Sequence, residues 1–447
     1  MPDSTISYIQ VKSAELLENL AKLAINAGTK YAYYNADQRV VDLGISLPQR
    51  FRFMKPGVGW ASRAVTTISD RINFDSFAND TFGINDMLDN ADAFTVFNNA
   101  KTDALIAGCS FIATLPDSDG GVRLLPFTAT EATGIVNPRT NLLEVGLAVV
   151  RWYPYNESDQ VWRKWGKVGL IPADYLLFTP EYTARFVDNA LVEVVPNKTG
   201  RPLLHVLTHR QSADRPFGKS RITNTVRRIV DEVTRLKVRY EIASEFYSTP
   251  QRYATGLADG GVTSAELEAA MGKIWAITKD EDGEKPEIGQ LPQMSISQFS
   301  DQKKDLARDF CAETALTLRN LGYETANPTS AESLSAMSDD LLLEAQESQR
   351  ELGKEFKEIA ITMRLVMDGN SVVPTRLKEI EPTWRPLFQI DFGSAGDAAN
   401  KLIQAMPELA GTTTLYRMLG MGAREAEELA RSRANTRPSN FMASEEQ

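Results

Sequence analysis

SRITNTVRRIVDEVTRLKVRYEIASEFYSTP, residues Ser220 to Pro250, decides how the chain reads. Its apolar residues Ile222, Val226, Ile229, Val233, Leu236, Ile242 and Phe246 recur at spacings of three, four or six. That stripe predicts an amphipathic helix from about Arg221 to Tyr247, with Ser220 as its N-cap. The helix breaks at Thr249-Pro250. A small module follows: a strand over Pro250–Leu257, a helix over Thr263–Thr278 and a strand over Pro286–Pro292. Thr263 and Glu266 form a capping box for that helix. So small a unit has little core of its own and needs a neighbour to pack against. A second helix is expected from Asp301 to Gly322, which is placed to end it in the left-handed conformation. After a short polar loop a third helix runs from Ser330 to about Met367. It would span roughly 55 Å, longer than most domains need, and suits an element that crosses something or packs along a neighbouring copy.

The 447 residues suffice for two to four domains or modules. Hydrophobic residues make up 43%, enough for a core, and charged residues 24%, the ordinary globular share. No apolar run is long enough to span a bilayer. The first thirty residues read as an amphipathic helix rather than a signal peptide, lacking a basic stretch ahead of an apolar block. Cys109 and Cys311 each sit in apolar context and read as buried free thiols of a protein made in a reducing cytoplasm. The net charge of −10 argues against a protein that grips nucleic acid over a broad face. It leaves room for one that handles nucleic acid without gripping it.

Upstream, residues 12–28 read as a packing helix, Ala61–Arg71 as a second, and Phe82–Leu105 as a third. Gly57-x-Gly59 lacks the third glycine of a dinucleotide loop and follows no clear strand. A strand runs from Phe111 to Leu115. From Val122 to Val195 the pattern has period two, with strands at Val122–Phe127, Leu143–Tyr153, Val161–Lys167, Asp174–Thr179 and Leu191–Val195. Turn residues separate them, as in Asp117–Gly121 and Asn137-Pro138, and no crossover helix intervenes, so the expectation is an antiparallel meander. One more strand, Leu203–Leu207, leads into the loop before the long helix. Downstream, Asn370–Ile380 reads as extended and Ile380–Phe388 as a strand-like return. Asp397–Met406, Thr414–Leu419 and Ala423–Ser432 read as short helices, and the last fifteen residues show no periodicity.

The chemistry of catalysis is missing. Gly218-Lys219-Ser220 suggests a phosphate loop, but the position that must hold the motif's first glycine is Ala213. His205 and His209, the two histidines of the chain, face one metal only on a helix, and Leu203–Leu207 reads as a strand. Asp339 and Asp340 are adjacent and diverge on a helix. No catalytic residue, metal ligand or cofactor site is assigned.

The order of segments resembles the portal proteins of long-tailed bacteriophages, the head–tail connectors, over nearly the whole chain. The resemblance is carried by Asp103-Ala-Leu-Ile-Ala-Gly-Cys-Ser-Phe111, by Asn197-Lys-Thr-Gly-Arg-Pro202 and by Phe217-Gly-Lys-Ser-Arg221. Thr249-Pro-Gln-Arg-Tyr253 and Pro328-Thr-Ser-Ala-Glu-Ser333 complete it. It implies an α+β portal fold: wing, helical stem, small α/β clip, long wing helix and helical crown. Residues 1–220 would form the wing, 221–248 the first stem helix, 249–298 the clip and 299–321 the second stem helix. Residues 322–329 would be the tunnel loop, 330–393 the wing return with its long helix, and 394–447 the crown and C-terminal tail.

The resemblance also implies a ring of twelve subunits at one capsid vertex of the virion, assembled in the bacterial host cytoplasm, with double-stranded DNA passing through. Its partners would be the terminase large subunit, the head–tail adaptor, the major capsid protein and a scaffold, with no membrane. On this reading the DNA-facing loop is Gly322, Tyr323, Glu324, Thr325, Ala326, Asn327, Pro328 and Thr329. Lys303, Lys304 and Arg308 are the basic residues proposed to face the channel, against the plainer reading of a solvated helix face. The loop holds one charge, Glu324, and neither Lys nor Arg. Two other readings compete: another phage assembly protein, of capsid or tail, and a nucleic-acid-processing enzyme. The enzyme would need a metal-binding carboxylate cluster or a basic face, and the sequence offers neither.

Overall fold

Period two and period 3.6 divide the N-terminal half, and the computed structural model realises both. It describes residues 3–38, 57–117, 119–154, 170–247, 252–255, 287–290, 296–323, 339–387 and 392–436. The chain divides into two units, one of residues 1–38, 59–228 and 310–447, the other of 39–58 and 229–309.

In the first unit, α1 (Asp3–Tyr34) lays one apolar stripe on an antiparallel meander. The meander comprises β4 (Ala132–Val136), β5 (Leu143–Pro154), β6 (Leu170–Phe178), β7 (Tyr182–Val187) and β8 (Ala190–Pro196), in that spatial order. Ile9, Leu16 and Leu20 are fully buried against Val145, Leu147 and Val149 of β5, Tyr175 and Leu177 of β6, and Tyr182, Ala184 and Phe186 of β7. Those sheet residues alternate, as one buried face of a pleated strand requires. Tyr175 and Phe186 are register partners and stack with ring centroids 4.5 Å apart.

A second sheet has the order β3–β2–β9, with β2 (Cys109–Pro116) between β3 (Val122–Thr128) and β9 (Leu204–Thr208). Its central strand is buried on both faces from Cys109 to Thr114, so apolar residues fall on both sides of it rather than on alternate positions. The two sheets meet where β5 has a glycine. A Cβ on Gly146 would stand 2.6 Å from Leu204 Cδ2, so only glycine admits that approach.

Around this core stand α2 (Trp60–Ser69), α3 (Ile84–Asn90), α4 (Ala93–Ala107), the first turns of α5 (Asn224–Tyr247), the end of α6 (Ser297–Thr314) and the long α7 (Asp339–Asp368). β1 (Phe74–Ala78) pairs antiparallel with β12 (Glu381–Trp384). Phe74 anchors an aromatic cluster with Phe77, Phe94, Phe97, Phe356 and Trp384. Within it, Phe97 of α4 and Phe356 of α7 stack at 4.1 Å. Three helices close the chain: α8 (Phe392–Ala405), α9 (Thr413–Met418) and α10 (Ala423–Thr436). Asp75 of β1 caps α10, its carboxylate accepting from Ala423 N at 2.6 Å.

In the second unit, α5 buries Val230, Val233, Leu236 and Val238, and Tyr240 meets Phe299 of α6 edge-on at 6.0 Å. Two short strands, β10 (Arg252–Thr255) and β11 (Glu287–Gln290), pair antiparallel with Tyr253 opposite Gly289. The strands expected at Pro250–Leu257 and Pro286–Pro292 thus contain a real ladder. The helix expected at Thr263–Thr278 lies outside the described residues.

Several sequence expectations are corrected. The helix expected from Arg221 begins at Asn224, and its cap is Thr223, whose hydroxyl accepts from Val226 N at 3.2 Å. Ser220 is instead buried and bonded to Ile106 O. The second long helix ends at Thr314, because Ala315 adopts a left-handed conformation (φ 54°). The chain restarts as a 3-10 turn, Leu318–Leu321, boxed by Thr317 and Asn320, and Gly322 (φ 83°) ends that turn rather than the helix. The helix expected over Phe82–Leu105 is two, broken at Asp92 (φ 49°). The N-terminal helix, Asp3–Tyr34, matches the helical reading of the first thirty residues and runs past the narrower packing segment 12–28 at both ends. Strands β1, β4 and β7 were not anticipated, and Val161–Lys167 lies outside the described residues. A 3-10 turn at Thr375–Glu379 interrupts the expected extended stretch, and α10 runs past Ser432 to Thr436. Cys109 is buried as expected, whereas Cys311 is only half-buried.

One buried carboxyl in this core makes a measurable mark. Glu355 of α7 is 4% exposed, and burial pushes its pKa up to about 8 from 4.5. The folded protein therefore holds a proton that the unfolded chain releases between those values. Stability contributed by the neutral carboxyl is full below pH 4.5 and falls as pH rises, by at most about 1.4 kcal/mol per unit, until about 8. Glu355→Gln removes this loss. The stability advantage of the variant in urea melts should grow from pH 5 to pH 8; an advantage that stays constant would contradict the assignment.

Candidate functional site

The basic residues proposed to face a channel lie on α6. Ala307 and Phe310 are its buried side, and Lys304 and Arg308 are exposed one turn apart, with Lys303 half-buried. Each exposed cation has an aspartate one turn earlier. Arg308 Nη1 donates to Asp305 Oδ1 at 2.6 Å, and Lys304 Nζ stands 4.0 Å from Asp301 Oδ1. Exposed pairs of this spacing contribute a few tenths of a kcal/mol and exchange freely with solvent ions. The exposed face thus carries charge of alternating sign rather than a positive stripe.

Of the loop residues, Gly322 and Tyr323 are described; Glu324, Thr325, Ala326, Asn327, Pro328 and Thr329 lie outside the described residues. Gly322 and Tyr323 close the 3-10 turn, their amides donating to Arg319 O (3.0 Å) and Leu318 O (3.1 Å). Arg63 of α2 holds that turn by donating from Nε to Asn320 O at 3.0 Å.

Three of the motif segments are structural joints of the first unit. In Asp103–Phe111, the Tyr31 hydroxyl donates to Asp103 Oδ1 at 2.8 Å, and burial pushes the Asp103 pKa up to about 6. Ser110 Oγ donates to Ala100 O. In Asn197–Pro202, Asn197 Nδ2 donates to Thr179 O and Arg201 O, and its Oδ1 accepts from the Thr199 amide and hydroxyl. Arg201 then pairs with Glu358 of α7 at 2.8 Å.

Phe217–Arg221 is the tightest joint. Gly218 (φ 68°) crosses Gly108 (φ 103°), and a Cβ on Gly218 would lie 2.4 Å from His209 O and 2.5 Å from Gly108 O. The amides a phosphate loop would offer to an anion are already bonded. Gly218 N donates to Arg215 O (2.9 Å), Lys219 N to His209 O (2.7 Å) and Arg221 N to Leu105 O (3.0 Å). Gly218 is there for close approach of backbones, and Lys219 is exposed.

Arg221 follows, with its side chain 3% exposed. Nε donates to Ala64 O of α2 at 2.8 Å and Nη2 to Thr314 O of α6 at 2.8 Å, and Nη1 pairs with Glu344 of α7. Glu344, itself 10% exposed, also lies 3.3 Å from Arg210 Nη2. His209 Nδ1 lies 3.3 Å from Ser348 Oγ. Burial first, then the Arg221, Arg210 and Lys219 charges, push the His209 pKa down to about 3. His205, on β9, is likewise held neutral by burial, with its pKa down to about 3. Both imidazoles belong to the core, and no group of three metal-ligating side chains occurs among the described residues. The sequence reading missed Arg221 and Glu344. Their signal is a charge placed inside an apolar stripe: Arg221 beside Ile222, and Glu344 among Leu341, Ala345 and Ser348 on the buried side of α7.

Gly218→Ala should cost about 2 kcal/mol or more, through the left-handed backbone and the collision with two carbonyls. Lys219→Ala should change stability by less than about 0.5 kcal/mol. Thermal melts of both variants check this; a destabilised Lys219→Ala beside a tolerated Gly218→Ala would restore the phosphate-loop reading.

No family model matches the chain. Two curated relatives align with most of it. The portal protein of Mycobacterium phage L5 is 23% identical over 419 residues, covering 87% of this chain and 81% of the relative. The portal protein of Mycobacterium phage D29 is 23% identical over 437 residues, covering 91% and 84%. Among solved structures, a chain in the neck of a native GTA particle, computed with C12 symmetry, is 12% identical with a TM-score of 0.43. It covers 82% of this chain and 90% of that one. The resemblance to phage portal proteins therefore stands on relatives that align with nearly the whole chain.

Proposed function

We propose that the chain is a portal protein: one subunit of a ring at a capsid vertex, through which double-stranded DNA is packaged and later ejected. The observation that carries the reading is the near full-length alignment with two phage portal proteins. The protein is a structural component of the particle, not an enzyme. The packaging motor is a separate terminase, whose large subunit docks on the ring, as does the head–tail adaptor after filling.

Within this reading residues 1–220 and 330–393 are wing, α5 and α6 belong to the two stem helices, and 249–298 is the clip. Residues 322–329 are the tunnel loop and 394–447 the crown and tail. The paired strands β10 and β11 between two long helices suit a clip that completes its core against its neighbours in a ring. The face of α6 suits a wall along which a duplex slides. Each phosphate held by Lys or Arg adds salt-dependent affinity, and a gripped duplex does not move. On α6 the cations Lys304 and Arg308 are balanced by Asp301 and Asp305, so the wall offers little net attraction. The net charge of −10 acts in the same direction. Among the described residues no helix is long and apolar enough to cross a membrane.

Negative-stain images of the purified protein should show rings whose central hole admits duplex DNA. A discrete monomer under conditions where the wild-type phage assembles would count against the reading. Asn327→Lys adds a cation to a loop that has none, and should slow or stall packaging while leaving the rings intact. Normal DNA filling in that variant would remove the loop from the channel.

A further inference from the structure

Arg221 is an expensive residue at its position. A charge that is nearly sealed from water is costly to desolvate, and an apolar side chain of similar size often stabilises as well as a buried ion pair. A guanidinium brings something an apolar group does not. It is planar, and its donors point in fixed directions, so partners bonded to different edges are held in register with one another.

The three partners of Arg221 belong to three elements: Ala64 O of α2, Thr314 O at the end of α6, and the Glu344 carboxylate in the second turn of α7. Thr314 and Glu344 stand on opposite sides of residues 322–329 in the sequence. The path from Thr314 to Tyr323 is stiff. Ala315 turns sharply, the Thr317–Asn320 box closes the 3-10 turn, and Arg63 of α2 fixes the carbonyl of Asn320. On the other side, Glu344 stands in α7 (Asp339–Asp368). Arg210 supports the same helix, through Nη2 to Glu344 and through its amide to Glu351 Oε2 at 2.7 Å.

We infer that Arg221 is a positioning residue. It sets the end of α6 and the Glu344 turn of α7, the two described flanks of residues 322–329, relative to one another by holding both on one planar group. The inference rests on the proposed function only in giving that stretch a role at the channel; the brace itself is a property of the folded chain. Lysine does not substitute, because one ammonium on a flexible stem does not hold a carboxylate and two carbonyls in a fixed plane.

Hydrogen exchange on the purified chain tests the brace without DNA, motor or capsid. In Arg221→Lys, the amides of Gly322 and Tyr323 and those of residues 343–348 should exchange about tenfold faster or more, while the β5 and β6 amides, Leu147 and Leu177 among them, keep their wild-type rates. Glu344→Gln leaves the two carbonyl bonds of Arg221 in place and should loosen residues 343–348 while sparing Gly322 and Tyr323. A folded Arg221→Lys with either flank unchanged would overturn the inference. So would exchange that rises equally in β5 and β6, since that is loss of global stability rather than of position. If Arg221→Lys does not fold, Glu344→Gln decides alone: faster exchange confined to 343–348 supports the brace, and wild-type exchange there overturns it. DNA packaging by the same variants is a separate readout. A loosened brace with normal packaging would keep the brace and remove the channel role of the stretch.

Discussion

The buried pair of Arg221 and Glu344 is the constraint on which the first unit depends. It lies where five segments meet: α2, the loop leaving β9, the start of α5, the end of α6 and the second turn of α7. Hydrophobic burial holds each layer together, α1 on the meander and α4 and α7 on the three-stranded sheet, but burial is non-directional and does not by itself fix helix ends. The guanidinium does. It satisfies Thr314 O, a carbonyl left open at the end of α6, and adds a second bond to Ala64 O within α2. The glycine crossing of Gly108 and Gly218 brings Arg221 into place, since any larger residue there would push the loop off the α4–β2 turn. Sequence, backbone conformation and charge therefore act on one another at a single joint.

Much of the fold was legible because its elements report on themselves. The alternation in β5 and β6 and the apolar stripe of α5 each follow from local periodicity. What stayed hidden has physical reasons. The breaks at Asp92 and Ala315 occur without glycine or proline; both residues take left-handed conformations because surrounding packing overrides their preference. Strand β7, Tyr-Thr-Ala-Arg-Phe-Val, is short and partly polar, and its identity depends on pairing with β6 and β8. Ser220 had the right chemistry for a cap, but Ile106 O competes for it, and Thr223 three residues on takes the role. At the candidate site, the spacing of Asp301, Lys304, Asp305 and Arg308 was visible, and the alternating charge follows directly from it. Arg221 was not legible, because its partners lie far away in sequence and a lone charge at a helix start ordinarily faces water.

The three motif segments that the structure describes share a character. Asp103–Phe111, Asn197–Pro202 and Phe217–Arg221 contain polar and glycine residues of the kind that usually signal binding, yet each is consumed by internal contacts. Asn197 uses both ends of its amide, the amides of Gly218 and Lys219 are bonded to carbonyls, and Asp103 is bonded to Tyr31. A segment can thus be distinctive in sequence because its backbone must turn in a restricted space, with no ligand involved.

Charges in this chain fall into two energetic classes, and the division bears on the proposed channel. Those on the outer face of α6 are exposed, paired one turn apart, and weak, so that solvent ions exchange with them at little cost. Arg221 and Glu344 are buried, and removing the carboxylate leaves the guanidinium charge uncompensated, a loss of about 3–5 kcal/mol. A conduit for a polyanion needs both properties in different places: surfaces that do not hold the cargo, and joints that do not give when the cargo pulls. On the proposed reading α6 lines the channel, and a positive stripe there would retain DNA. If the Arg221 joint were made of exposed pairs, the same ions that screen the wall would loosen it. On the proposed reading, burial of one set and exposure of the other let a single sequence meet both demands.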